Sequence, residues 1–63
     1  MIEIEYIYKS IVTQKWMIAR KSFDNVKKAL RFLYAIKRAG GIVSGWSCDD
    51  PYDNEYLNQR FTQ

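Results

Sequence analysis

The sequence predicts a small α+β domain of order ββαβ, in which a three-stranded sheet carries one helix packed on one face. Two patterns predict this fold class: apolar residues alternate with polar ones near the amino terminus, and further along they recur with the period of a helix. The chain has 63 residues, which allows one domain at most, over residues 1–63. Aromatic residues make up 16% of it, and because each buried ring contributes about 150–250 Å² we expect a folded core.

A β-hairpin is predicted over residues 2–23. In its first strand, one face carries Ile2, Ile4, Tyr6 and Tyr8, and the other carries Glu3, Glu5, Ile7 and Lys9. In the second stretch, Trp16 and Ile18 share one face, while Met17, Ala19 and Lys21 share the opposite one. Such alternation is typical of half-buried strands. The turn between them has neither Gly nor Pro, so its type is not predicted.

A helix is predicted over residues 24–39. Asp24 is the expected N-cap, because its carboxylate can accept hydrogen bonds from the free amides of the first turn. The apolar stripe of this helix consists of Val26, Ala29, Leu30, Leu33 and Ile36, with Phe32 at its margin. Gly40-Gly41 should end the helix, because the left-handed residue that commonly follows a last turn is most easily a glycine.

A third strand is predicted over residues 42–48, where Gly45 indicates a bulge or close packing. A right-handed crossover through the helix places this strand beside the first one and antiparallel to it. Trp16 and Trp46 are expected in the core between helix and sheet.

The segment 49–63 is acidic and aromatic. Asp50-Pro51 reads as an N-cap followed by proline at the first helical position, so the sequence allows a short C-terminal helix. Its first turn would hold Asp53 and Glu55, and its contacts would be Tyr52, Tyr56 and Leu57. For Tyr52 and Tyr56, exposure and burial are equally expected.

Residue types that carry most catalysis are missing. The chain has no histidine, which removes the commonest general base at neutral pH and the commonest metal ligand. Cys48 is the single cysteine; it is interpreted as an ordinary half-buried residue, with no histidine to activate it. The carboxylates of residues 49–55 do not follow the spacing of a calcium loop, and Gly40-Gly41 follows a helix instead of preceding one, unlike a phosphate loop. We expect no enzyme, no cofactor and no metal site.

A cytoplasmic location is expected. A single cysteine permits no internal disulfide, which favours a reducing compartment. The start Met-Ile-Glu-Ile-Glu has acids where a secretory signal carries positive charge, and no apolar run approaches the roughly 20 residues of a membrane span. No membrane partner is therefore expected.

The charges divide the chain into two parts. Residues 1–48 contain nine Lys and Arg against three acids, which gives +6, whereas residues 49–63 contain four acids against Arg60, which gives −3. The candidate binding surface consists of Lys27, Lys28, Arg31, Tyr34, Arg38, Tyr52 and Tyr56. If Asp49, Asp50 or Asp53 lay against Arg31 or Arg38, the chain would neutralise its own basic helix. An open basic helix would instead favour nucleic acid.

Residues 15–33, with Lys21-Ser22-Phe23 leading into an amphipathic helix, loosely resemble the strand-then-helix part of the arm-type DNA-binding domains of integrases. The resemblance covers under a third of the chain. Those domains place three strands before their helix, whereas two precede it here, so no family is assigned.

Two functional hypotheses follow. The leading one is a small non-enzymatic binding or regulatory module that contacts a protein through its aromatic residues and its oppositely charged regions. Its size and architecture suit the short regulatory proteins of phages and mobile elements. The alternative is a nucleic-acid-binding domain in which the cations of the helix pair with phosphates and Tyr34 stacks on a base. These cations are Lys27, Lys28, Arg31 and Arg38. A homodimer through an unprotected sheet edge is also allowed.

Overall fold

Three strands and two helices make up the computed structural model, which describes residues 1–61. In chain order they are β1 Ile2–Lys9, β2 Trp16–Phe23, α1 Val26–Arg38, β3 Ile42–Cys48 and α2 Pro51–Arg60. The sheet order is β2-β1-β3, and β1 pairs antiparallel with both neighbours. The predicted α+β fold class is therefore confirmed, and β3 lies beside β1 as a right-handed crossover requires.

One face of the sheet forms the core with both helices. Directly paired residues of antiparallel strands point to the same side, so Ile4 shares this face with its partner Trp46, and Ile2 shares it with Phe23 and Cys48. The buried apolar residues are Ile2, Ile4, Ala29, Leu33, Ile36, Val43, Leu57 and Phe61. The apolar stripe predicted for the helix thus supplies three of them, and α2 adds Leu57 beside α1.

The N-cap of helix α1 lies one residue later than predicted. Asn25, not Asp24, is the N-cap: its side-chain oxygen accepts from the amides of Lys27 and Lys28 at 2.8 and 3.4 Å. The prediction of Asp24 is wrong because β2 stays paired with β1 through Phe23. Asp24 is then needed to turn the chain, and Asn25 is the extended residue before the first helical turn.

Helix α1 ends in the two-bond arrangement known as a Schellman motif. The amide of Gly41 donates to the carbonyl of Ile36 at 2.9 Å, and the amide of Gly40 donates to that of Lys37 at 3.2 Å. Gly40 has φ +83°, the left-handed conformation that the sequence predicts at this point.

The predicted bulge lies in β3. Gly45 pairs with Glu5 and Val43 pairs with Tyr6, so Ser44 is the extra residue. In α2, the carboxylate of Asp50 accepts from the amide of Tyr52 at 2.9 Å and Pro51 occupies the first turn, as the sequence allows. No helix within residues 1–61 has both the length and the apolar character needed to cross a bilayer.

Candidate functional site

No other part of residues 1–61 covers the face of the sheet opposite the helices, and we call it the open face. Because side chains alternate along a strand, each strand contributes every second residue to it, apart from the bulge in β3. Its members are Glu3, Glu5, Ile7 and Lys9 of β1, Trp16, Ile18, Arg20 and Ser22 of β2, and Ile42, Ser44, Gly45 and Ser47 of β3.

Three isoleucines cross the open face in one line, which we call the isoleucine row. Ile7 of the central strand pairs with Ile18 on one side and with Ile42 on the other. Ile18 is 68% exposed and Ile42 50% exposed, and Trp16 beside them is 55% exposed. Isolated apolar residues are normal on a protein surface, but a contiguous patch marks a contact surface.

Charged residues flank the isoleucine row on both sides. Towards the amino terminus of β1 lie Glu3 and Glu5, and Glu5 accepts from Arg20 Nε at 3.2 Å. Towards the hairpin turn lies Lys9, paired with Trp16. We call these two regions the acidic end and the basic end of the open face.

A shallow depression of about 250 Å³ lies in the acidic end. It is lined by Glu3, Glu5, Ser44, Gly45 and neighbouring residues of β3. Gly45 contributes no side chain to this depression.

The expectation for Trp16 was wrong, whereas Trp46 packs against the core. Trp46 pairs with Ile4 on the covered face, its ring centroid lies 6.0 Å from that of Phe61, and its Nε1 donates to Asn54 at 3.1 Å. Trp16 pairs with Lys9 and therefore points to the open face. The sequence placed Trp16 and Ile18 on one face together, but periodicity does not tell which face the helices cover.

The cations of the basic helix are exposed. Among the described residues, none of the acids forms an ion pair with Arg31 or Arg38, since the ion pairs found in residues 1–61 are Met1 with Asp49 and Glu5 with Arg20. The Met1 amine donates to Asp49 at 2.9 Å, which raises the pKa of that amine. Within residues 1–61, the acids that follow β3 thus form no ion pair with Arg31 or Arg38, which favours the nucleic-acid alternative.

Two of the three tyrosines of the predicted binding surface already have partners. The Tyr34 hydroxyl donates to the Arg60 carbonyl, and the Tyr34 ring lies 5.6 Å from that of Phe61 at an interplanar angle of 64°. The Arg60 guanidinium lies 3.8 Å from the centre of the Tyr56 ring. Tyr52 is largely exposed. Tyr34 therefore connects α1 to the end of α2, which weakens its assignment as a base-stacking residue.

Cys48 and the acids are the residues to consider for metal binding and for nucleophilic chemistry. Within residues 1–61, no three Cys, Asp or Glu side chains come together in a group suited to a metal ion. Cys48 is half-buried, and its burial, followed by the charge of Asp53, raises the pKa of its thiol. A thiol with a raised pKa is a poor nucleophile at neutral pH.

Comparison with protein-family models, with curated proteins and with solved structures found no match. We therefore infer the function from the geometry of the open face and of α1.

Proposed function

We propose that the chain is a non-enzymatic protein-binding module and that the open face is its contact surface. The observation that carries this proposal is the isoleucine row with Trp16, which places four large apolar side chains side by side across three strands. With its thiol in the reduced form, Cys48 suits the reducing cytoplasm, where we expect the module to act.

The open face has the composition of a protein interface. Such interfaces have an apolar centre with aromatic anchors and a polar, hydrated rim. Here the isoleucine row and Trp16 form the centre, and the acidic and basic ends form the rim. Apolar surface contributes about 25 cal/mol for each Å² removed from water, so covering this row stabilises a complex.

The matched pair Ile18→Lys and Ile11→Lys tests the proposal. Ile18 lies in the isoleucine row, whereas Ile11 is 88% exposed in the hairpin turn and lies outside the open face. In an affinity pull-down from the native host, the wild-type chain and Ile11→Lys should retain the same protein, and Ile18→Lys should lose it. Equal retention by both variants, with folding verified by circular dichroism, would contradict the assignment of the open face.

A nucleic-acid-binding function is the second candidate, favoured by the lack of acidic partners for Arg31 and Arg38 within residues 1–61. The four cations available for phosphates are Lys27, Lys28, Arg31 and Arg38. We rank this function second because a phosphate backbone makes no contact that would use the isoleucine row. That row is seen only once the three strands are paired, and the charges of the sequence do not indicate it.

Titration with single-stranded and duplex nucleic acid at low salt tests the second candidate. Binding through α1 should weaken steeply with salt and should be abolished in the double variant Arg31→Glu, Arg38→Glu. The control, Lys9→Glu with Lys15→Glu, makes the same change in net charge on the hairpin and should bind like the wild type apart from a general electrostatic weakening. Undetectable binding to both forms of nucleic acid removes this candidate.

A further inference from the structure

We infer that the polypeptide covering the open face is a second copy of this chain, stacked face to face about a two-fold axis that runs along the isoleucine row. This inference rests on the proposed function, because it requires the open face to be a contact surface. The order of charges along the strands supports it.

The open face consists of parallel rows that run across the strands. From the acidic end to the basic end, the rows are Ser47, Glu3 and Ser22; then Gly45, Glu5 and Arg20; then Ile42, Ile7 and Ile18; and finally Lys9 and Trp16. Along β1 and β2, successive rows are two residues apart, which is about 6.8 Å along a strand. The row containing Glu5 and the row containing Lys9 are therefore equally distant from the isoleucine row.

A two-fold axis along the isoleucine row exchanges these two flanking rows. Each isoleucine then faces its own counterpart, and Lys9 of each copy lies over Glu5 of the other, beside the depression at Gly45. Trp16 of each copy lies over Arg20 of the other, which is the pairing of a cation with an aromatic face. The contact of Lys9 with Glu5 and that of Trp16 with Arg20 each occur twice, as in an isologous interface.

Repulsion between like charges disfavours the other face-to-face arrangement. A two-fold axis parallel to the strands would place each row over itself, so that Lys9 would face Lys9 and Glu5 would face Glu5. Like charges juxtaposed in an interface oppose association. The order of charges on the open face therefore selects the antiparallel stacking.

The area of the open face sets the strength expected of this dimer. Three strands about 4.8 Å apart and eight residues long at about 3.4 Å each cover roughly 380 Å² in projection. Stable interfaces bury about 800 Å² of accessible surface on each partner. The projected area of the open face is less than half of this value, so we expect a weak, reversible dimer with a dissociation constant in the micromolar to millimolar range.

Sedimentation equilibrium of the purified chain, with no other protein present, tests the arrangement. Lys9→Glu brings carboxylates together across the axis, and Glu5→Lys brings cations together, so each variant alone should dissociate about tenfold more readily or worse. An equimolar mixture should associate again. In the mixed pair, the new carboxylate faces the new ammonium group, and the remaining Lys9 faces the remaining Glu5.

Two further variants control this experiment. Ile18→Lys should be monomeric, and Ile11→Lys should associate like the wild type. Glu5→Lys removes the exposed Glu5–Arg20 pair, which should lower fold stability only slightly, and thermal unfolding checks that each variant is folded.

The remaining outcomes overturn the inference in distinguishable ways. A dimer that survives in both charge variants alone uses another interface, such as the edge of β2. A wild-type chain that stays monomeric at millimolar concentration does not self-associate. If the pull-down then still depends on Ile18, the proposed function stands with a different protein as partner; if it does not, both proposals fail.

Discussion

Gly40 and Gly41 are both glycines for separate reasons. Gly40 has φ +83°, and a Cβ atom there would meet no atom within 4 Å. At Gly41, a Cβ atom would lie 2.9 Å from Ile36 Cγ2 and 3.1 Å from the carbonyl oxygen of Ile7. Backbone conformation therefore requires glycine at the first position, and close packing between α1 and β1 requires it at the second.

Gly40→Ala should lower the free energy of unfolding by about 1–2 kcal/mol, the cost of a left-handed residue with a side chain. Gly45→Ala is the matched control, since a Cβ atom there also meets nothing within 4 Å and its φ is outside the left-handed region. Its effect should stay within about 0.5 kcal/mol. Urea unfolding of both variants measures this difference, and equal losses would show that conformation at Gly40 is unimportant.

The Cys48 thiol should react slowly with iodoacetamide. Burial, followed by the charge of Asp53, raises its pKa in the folded chain, so the thiolate that reacts forms only at higher pH than in the unfolded chain. Alkylation rates followed from neutral to alkaline pH, with and without denaturant, test this. Asp53→Asn should move the folded profile towards lower pH. A folded chain that reacts as fast as the unfolded one would contradict the raised pKa.

The same shift has a consequence for stability. Between the ordinary pKa of a thiol and its raised value in the folded chain, the folded state holds the proton that the unfolded state has lost. The contribution of Cys48 to stability is therefore present at neutral pH and is lost as the pH rises through the folded pKa.

At the scale of elements, the beginning of α1 gives a clear test. Asn25→Ala should cost about 1 kcal/mol, because two amides of the first turn lose their acceptor. Asp24→Ala should cost well under half of that, because Asp24 is exposed and does not cap the helix. Thermal unfolding of the two variants distinguishes them, and a larger loss for Asp24→Ala would restore the cap predicted from the sequence.

The alternation of Ile2 and Ile4 with Glu3 and Glu5 is sufficient to predict β1 as a half-buried strand, because its first half has one apolar and one charged side. The second strand is ambiguous. Its more apolar pair, Trp16 and Ile18, lies on the open face, while Lys21 lies on the covered side with its ammonium 5.0 Å from the centre of the Phe32 ring. Composition alone therefore assigns β2 to the wrong face.

The type of the hairpin turn would also have told which face each residue of β2 occupies, but the turn could not be predicted from the sequence. Gln14 has φ +60°, and the amide of Ser10 donates to the carbonyl of Lys15 at 2.8 Å. A left-handed glutamine carries no sequence signature, since such positions favour glycine or asparagine. Without the turn type, the register that places Trp16 opposite Lys9 could not be predicted.

For the molecule as a whole, the fold class followed from the sequence but the candidate site did not. The sequence suggested a contrast between a basic helix and an acidic C-terminal segment. In the structure, Asp49 accepts a hydrogen bond from the Met1 amine, and Asp50 caps the start of α2. No ion pair within residues 1–61 joins the C-terminal acids to Arg31 or Arg38. The open face emerges only after three strands are brought together, since Ile7, Ile18 and Ile42 are distant along the chain.

Chemical shifts of the isotopically labelled chain, recorded by two-dimensional NMR from millimolar to micromolar concentration, test most directly whether the open face is a contact surface for a second copy. We predict that dilution moves the amide signals of Ile7, Lys9, Ile18 and Ile42 and leaves those of Arg31 and Arg38 unchanged. Signals that do not change with concentration, or changes confined to α1, would contradict the assignment of the open face as the contact surface of a dimer.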